Sequence, residues 1–143
     1  MTRRFAILAA IALPAAAVLA QGTAPKAFTV VESGASFASL QDAVNAVGNT
    51  RATIRIAPGT YRQCAVQQAG VIIYEAAEPG SVTLAGRACE GKAALVLRGA
   101  GARVEGLIFQ NMRVPDGNGA GIRLERSDLV VANTLFRDSE EGI

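Results

Sequence analysis

The sequence predicts an all-β solenoid of short strands, opened by a capping helix and preceded by an export leader. Three observations carry this reading. The composition suits thin β-layers better than an aromatic-filled globule. The apolar residues fall in runs of strand length, with one helical exception. A block of the chain also recurs, apolar position for apolar position, with a shift of 27 residues.

At 143 residues the chain suits one domain at most. Half of it is apolar, yet aromatics make up 5% and Trp is absent, while Gly occurs 15 times. Large aromatic side chains usually fill the core of a compact globule. Val, Ile and Leu with frequent Gly instead fit pleated surfaces joined by tight turns.

Residues 1–20 read as a signal peptide. Arg3 and Arg4 form a positive start, residues 5–19 carry no charge, and Val18-Leu19-Ala20 places small residues where a signal peptidase cuts. Gln21 would then begin the mature chain. The alternative is a membrane anchor. Against it, a span needs ~20 apolar residues, and Pro14 interrupts this one. Cleavage leaves no membrane span and places the protein outside the cytoplasm, in the periplasm or the medium.

The full chain carries 14 basic and 12 acidic residues. Without Arg3 and Arg4 the balance is 12 against 12. Scattered, balanced charge argues against a nucleic-acid partner, which requires a clustered basic face. Cys64 and Cys89 both lie in the mature part. An oxidising compartment and an even count favour a disulfide, and one repeat of the solenoid brings the pair close. The alternative is two separately buried thiols. No His is present, and a spacing of 25 fits no short metal-ligand pair.

Residues 21–27 form a short polar segment ahead of the fold, which occupies 28–143. Phe28-Thr29-Val30-Val31 reads as the first strand. The spacing of Phe37, Leu40, Ala43, Val44 and Val47 predicts an amphipathic helix over 36–47, with Ser36 as N-cap and Gly48 as a left-handed C-cap. Its apolar face must cover something. Short strands follow at 53–56, 64–66, 71–74, 82–84, 95–97, 104–109, 122–124, 129–131 and 133–136. Residues 57–60 (Ala-Pro-Gly-Thr) read as a turn.

Residues 95–112 superimpose on 122–139. Leu95 then meets Ile122, Leu97 meets Leu124, and Ala102 meets Leu129. Val104 meets Val131, Ile108 meets Leu135, and Phe109 meets Phe136. Ala120-Gly121-Ile122 returns as Glu141-Gly142-Ile143 with a shift of 21, and the loop at 114–119 accounts for the difference. The earlier segments fit the same scheme less well. Repeats of this length, each holding two or three strands, mark a solenoid whose units must stack to bury their faces. The 36–47 helix would cap the first unit. The sequence stops at Ile143 in mid-repeat. It is therefore expected to be a fragment, or to meet further repeats or a partner along its last edge.

The helix at 37–47 followed by Ala52-Thr-Ile-Arg-Ile-Ala-Pro-Gly-Thr-Tyr61 resembles the opening of pectin lyase-like proteins. Asn118-Gly-Ala-Gly-Ile-Arg-Leu-Glu125 and Leu129-Val-Val-Ala-Asn-Thr-Leu-Phe136 look like their later repeats. The resemblance implies a right-handed parallel β-helix. The superfamily includes polysaccharide lyases, glycoside hydrolases, pectin methylesterases, uronate epimerases, phage tailspikes and adhesins, and fold alone does not choose among them. Pectin methylesterases carry a Gln in one repeat and a Gln-Asp pair in the next. The matching places here read Gly119-Ala120-Gly121-Ile122 and Asp138-Ser139-Glu140-Glu141, which argues against an esterase. A lyase relative would imply calcium held by acidic side chains, together with an Arg base.

The site candidates follow from these readings. Asp116 and Asn118 lie in the loop that interrupts the repeat, although a Pro-Asp-Gly-Asn-Gly turn needs the same residue types for backbone reasons. Arg123 alternates with Ile122 and Leu124, so it faces outward and suits a uronate carboxylate. Glu125 is expected near it, as an exposed ion pair. Asp138, Glu140 and Glu141 are either half of a calcium site or a solvated turn. Asn111 and Asn133 fall near strand ends, where Asn commonly serves turn backbone. The leading expectation is an exported protein that interacts with an acidic polysaccharide, as part of a lyase-like enzyme. The alternatives are a non-catalytic envelope scaffold or adhesin and, more remotely, an esterase relative.

Overall fold

The computed structural model describes residues 23–143, so the leader at 1–20 lies outside the described residues. The described chain is mostly β, with parallel sheets and one helix.

The elements run in the order β1 (Phe28–Val30), β2 (Ala35–Phe37), α1 (Leu40–Val47), β3 (Arg51–Ile56), β4 (Gly59–Tyr61) and β5 (Ala65–Gln67). They continue with β6 (Val71–Ala76), β7 (Val82–Ala85), β8 (Ala93–Leu97), β9 (Gly101–Glu105) and β10 (Leu107–Gln110). The last three are β11 (Ala120–Leu124), β12 (Asp128–Ala132) and β13 (Leu135–Arg137). From β3 onward the chain visits three sheets in rotation. The first sheet has the order β12-β9-β6-β3-β1-β2, the second β13-β10-β7-β4, and the third β11-β8-β5. All pairings among β3 to β13 are parallel. Parallel partners need a long crossover, and here the other two strands of each round supply it.

The register matches the recurrence in the sequence. Leu95 pairs with Ile122, Leu97 with Leu124, Ala102 with Leu129 and Val104 with Val131. Ile108 pairs with Leu135 and Phe109 with Phe136, and an isolated bridge joins Ala120 to Glu141. Earlier rounds differ in length. Arg51 lies opposite Val71, 20 residues on, whereas Ala65 lies opposite Leu95, 30 residues on. That variation is why the first rounds do not superimpose in sequence.

Alternation decides which residues meet inside. In β6, Ile72, Tyr74 and Ala76 are buried while Val71, Ile73 and Glu75 are half-exposed. Inner residues form columns across the rounds, such as Ile54-Tyr74-Val104-Val131 and Tyr61-Leu84-Phe109-Phe136. Ile108 and Leu135 pair as expected, but on the outer face, where Leu135 is 49% exposed. Gln67 is the one buried polar side chain among the described residues. Its Nε2 donates to the carbonyls of Ala69, Gly70 and Gly101, and its Oε1 accepts from the Tyr74 hydroxyl at 3.1 Å. That satisfies a group otherwise costly to bury. Burial in turn pushes the Tyr74 hydroxyl far above its usual titration range.

The helix starts later than its apolar spacing predicts. Ser39, not Ser36, is the N-cap, accepting from the Asp42 amide at 3.2 Å. Ser36 belongs to β2, where its hydroxyl meets Thr29 Oγ1 at 2.8 Å. Phe37 shares the apolar face in sequence but reaches the core from a strand. Leu40, Ala43, Val44 and Val47 are buried as expected; Gly48 has a positive φ (58°), but its ψ of −127° lies outside the left-handed helical region expected of the C-cap. The helix covers the edge of the third sheet. The Gln41 side chain accepts from the Val66 amide (2.7 Å) and donates to its carbonyl (3.1 Å), taking the ladder place of a further strand on β5. The helix and the antiparallel pair β1–β2 thus cover the starting end of the sheets.

Other strand boundaries differ as well. Gly59 and Thr60, expected as part of a turn, belong with Tyr61 to a strand that pairs with β7. The single strand expected at 104–109 is two strands, because Gly106 (φ 72°) turns the chain from the first sheet to the second.

Candidate functional site

The links from the second sheet to the third run at 62–64, 86–92 and 111–119, and the last two are the longest between consecutive elements; 138–140 follows the final strand on the same side. The chemistry-bearing side chains gather on this side.

The Cys64–Cys89 disulfide ties the first two links together, with Cα atoms 5.5 Å apart. Each cysteine follows an arginine by two positions: Arg62-Gln63-Cys64 and Arg87-Ala88-Cys89. A groove of about 410 Å³ runs beside the disulfide, lined by Ser39, Gln41, Arg62, Gln63 and Arg87 as well as the two cysteines. Neither Arg62 nor Arg87 has an ion-pair partner among the described residues, and no carboxylate lines the groove. Gln63 is committed elsewhere. It accepts from the Leu40 amide (2.7 Å) and donates to the Ala38 carbonyl (2.9 Å), which anchors the helix start.

Four of the expected site residues converge in a second, smaller pocket of about 160 Å³. Asp116, Asn118, Arg123 and Glu125 line it together with Lys92. Asp116 sits at the exposed tip of a turn closed by the Gly117 amide and the Val114 carbonyl (3.0 Å). Arg123 lies on the outer row Val66-Val96-Arg123 of the third sheet, as its alternation predicts. Its Nη2 donates to the Asn118 carbonyl at 3.1 Å and reaches Glu141 at 3.4 Å. Its Nε is enclosed without a hydrogen-bond partner.

Glu125 does not pair with Arg123. Its carboxylate accepts from Lys92 and Arg98, and Arg98 also grips Glu90. The Arg98 and Lys92 bonds pull the Glu125 carboxyl down to about 2. Arg98 lowers Glu90 in the same way, and both carboxylates raise Arg98. A carboxylate held ionised by two cations is a poor proton donor near neutral pH.

The acidic run at 138–141 does not assemble. Asp138 takes a left-handed conformation (φ 51°) just after β13, level with Asn111 (56°) after β10 and Gly86 (64°) after β7. It is the turn residue of its round. Asn133 (46°) repeats Gly106 in the same manner. Glu140 Oε2 accepts from the amides of Val114 (3.0 Å) and Gly119 (2.7 Å), so it pins the 114–119 loop. Glu141 turns to Arg123. Glu140 is taken by backbone amides and Glu141 by Arg123, which leaves only Asp138 without such a partner, and this donor set does not fit calcium. Among the described residues no group of three or more His, Cys, Asp or Glu is placed to hold a metal ion.

Lys92, Arg62 and Arg87 escaped the sequence reading. The repeated Arg-x-Cys, with its shift of 25, was the available signal for the two arginines. Lys92 has no comparable mark, because its place depends on the folding of the 86–92 link.

No family model matches the chain, and no curated protein or solved structure matches it either. Among the described residues no helix is long and apolar enough to cross a membrane. The strand order, the disulfide and the two pockets therefore define the class: a mostly β, parallel-sheet chain closed by a disulfide.

Proposed function

We propose that this chain is an exported right-handed parallel β-helix of the pectin lyase-like kind that binds an acidic polysaccharide. What carries the reading is the convergence of Asp116, Asn118, Arg123 and Glu125 with Lys92 on one pocket, beside a groove bearing two uncompensated arginines. Guanidinium groups suit carboxylates because their donors match both oxygens. The rotation of strands through three sheets supports the β-helix, and the disulfide supports an oxidising compartment outside the cytoplasm. The outer edges of β12 and β13 would take further repeats or a partner, while residues 141–142 already pair along the start of β11.

Binding is favoured over cleavage. Glu125 is locked ionised, Glu140 is spent on backbone amides, and Glu141 faces Arg123. That leaves Asp116 as the carboxylate of the pocket without an ion-pair partner among the described residues, and a lone carboxylate with no second free acid or base beside it favours the scaffold or adhesin reading over the lyase. Calorimetric titration with uronate oligosaccharides and with a neutral glucan tests this. The expected result is uronate binding that weakens by about tenfold in Arg123→Gln and again in Arg62→Gln/Arg87→Gln, the loss typical of a charge-assisted contact. Equal binding of the neutral glucan, or none of the uronates, overturns it. Unsaturated products from the uronates would restore the lyase.

A further inference from the structure

The outer face of the first sheet carries a self-complementary row. Across the strands β3, β6, β9 and β12 the register aligns Arg51, Val71, Gly101 and Asp128. These four, with Ile73 and Val130, line a groove of about 460 Å³. The row reads as a positive charge, an apolar side chain, a bare glycine and a negative charge. Gly101 is buried beside Val71, whose methyls would lie 3.5 and 3.7 Å from a Cβ there, so no side chain rises between Val71 and Asp128. Val130 stands 51% exposed beside it.

The charges at the two ends are uncommitted. Neither Arg51 nor Asp128 forms an ion pair among the described residues. Glu32, whose carboxylate feels Arg51, accepts from the Thr53 amide at 2.8 Å. Arg51 and Asp128 sit three strand spacings apart, ~14 Å, too far to pair within one chain. The neighbouring charges on this face are paired, Arg55 with Glu75 and Arg103 with Glu105.

We infer that this face docks a second copy of the chain about a two-fold axis passing between Val71 and Gly101. The rotation brings Arg51 of one copy onto Asp128 of the other, twice, and lays the apolar Val71 of each copy over the bare Gly101 of the other. An isologous contact needs a patch that is its own complement, and this row meets that condition in charge. The face is about 14 Å wide and about 16 Å long, so two copies bury several hundred Å², the scale of a weak, reversible contact.

Sedimentation equilibrium over a concentration series tests the dimer. The wild-type chain is expected to associate reversibly. Arg51→Asp and Asp128→Arg each set like charges face to face and should weaken association by about tenfold or more. The double variant Arg51→Asp/Asp128→Arg restores opposite charges and should associate within a few-fold of wild type. Circular dichroism confirms that each variant is folded. Where one is not, a salt titration of the wild type takes its place, and the association should weaken as salt screens the pairs. A wild-type chain that stays monomeric, single variants that associate unchanged, a folded double variant that does not recover, or a salt-independent dimer overturns the inference.

Discussion

Phe109 and Phe136 stack almost face to face, with ring centroids 5.2 Å apart and planes 8° from parallel. They are register partners on β10 and β13, so the stack follows directly from the strand pairing. Gly121 on β11 closes against both rings. A Cβ at that position would lie 2.7 Å from Phe136 Cδ1 and 2.8 Å from Phe109 Cβ.

Gly121→Ala is therefore expected to destabilise the fold by ~1–3 kcal/mol, the usual cost of overpacking. Phe136 is only half-buried, so Phe136→Leu in the same chain should recover part of the loss by giving the methyl room. Urea unfolding midpoints check both. An undiminished midpoint in Gly121→Ala would show that the rings do not close on the glycine.

The disulfide joins residues 25 apart in sequence. Closing a loop of that length restricts the unfolded chain by ~3 kcal/mol. Cys64→Ser/Cys89→Ser should lower the urea midpoint accordingly, and reductant should lower the wild type to the same level. A reductant effect absent from the wild type would count against the bond.

Acid should remove the contribution of the Glu90–Lys92–Arg98–Glu125 network. Glu125 titrates near 2 in the folded chain, below its ordinary 4.5, and Glu90 is also lowered. A depressed carboxylate stabilises the fold above its ordinary range, and the benefit disappears as pH falls through the folded value. The stability difference between wild type and Glu125→Gln is thus largest near neutral pH and closes as pH falls from about 4.5 towards 2. Unfolding at a series of pH values measures it, and a pH-independent difference would show the carboxylate to be unpaired.

Much of the fold was legible in the sequence because apolar side chains on paired parallel strands must face the same core. That requirement wrote the 27-residue recurrence into residues 95–139, and the register confirms each of its six pairs. The helix boundary was less legible. Phe37 fits the helical face by spacing, but β2 claims its backbone through pairing with Phe28. The pocket was half legible. Arg123 showed its outward direction by alternation, and the interrupting loop marked Asp116 and Asn118. Asp138 showed only as an acid, since its role as a turn residue depends on standing level with Gly86 and Asn111.

While the bond between the two cysteines was favoured and left open, the sequence by itself determined the strand character, the covering helix and the spacing of the later rounds. These follow from side-chain periodicity, which is local or repeats at constant length. Only the tertiary structure decided that Glu125 answers to Lys92 and Arg98, that Glu140 pins a loop, and that Arg51 and Asp128 end one row. Those partners are brought level by links of unequal length, and the outward side chains leave no apolar signature of where they meet.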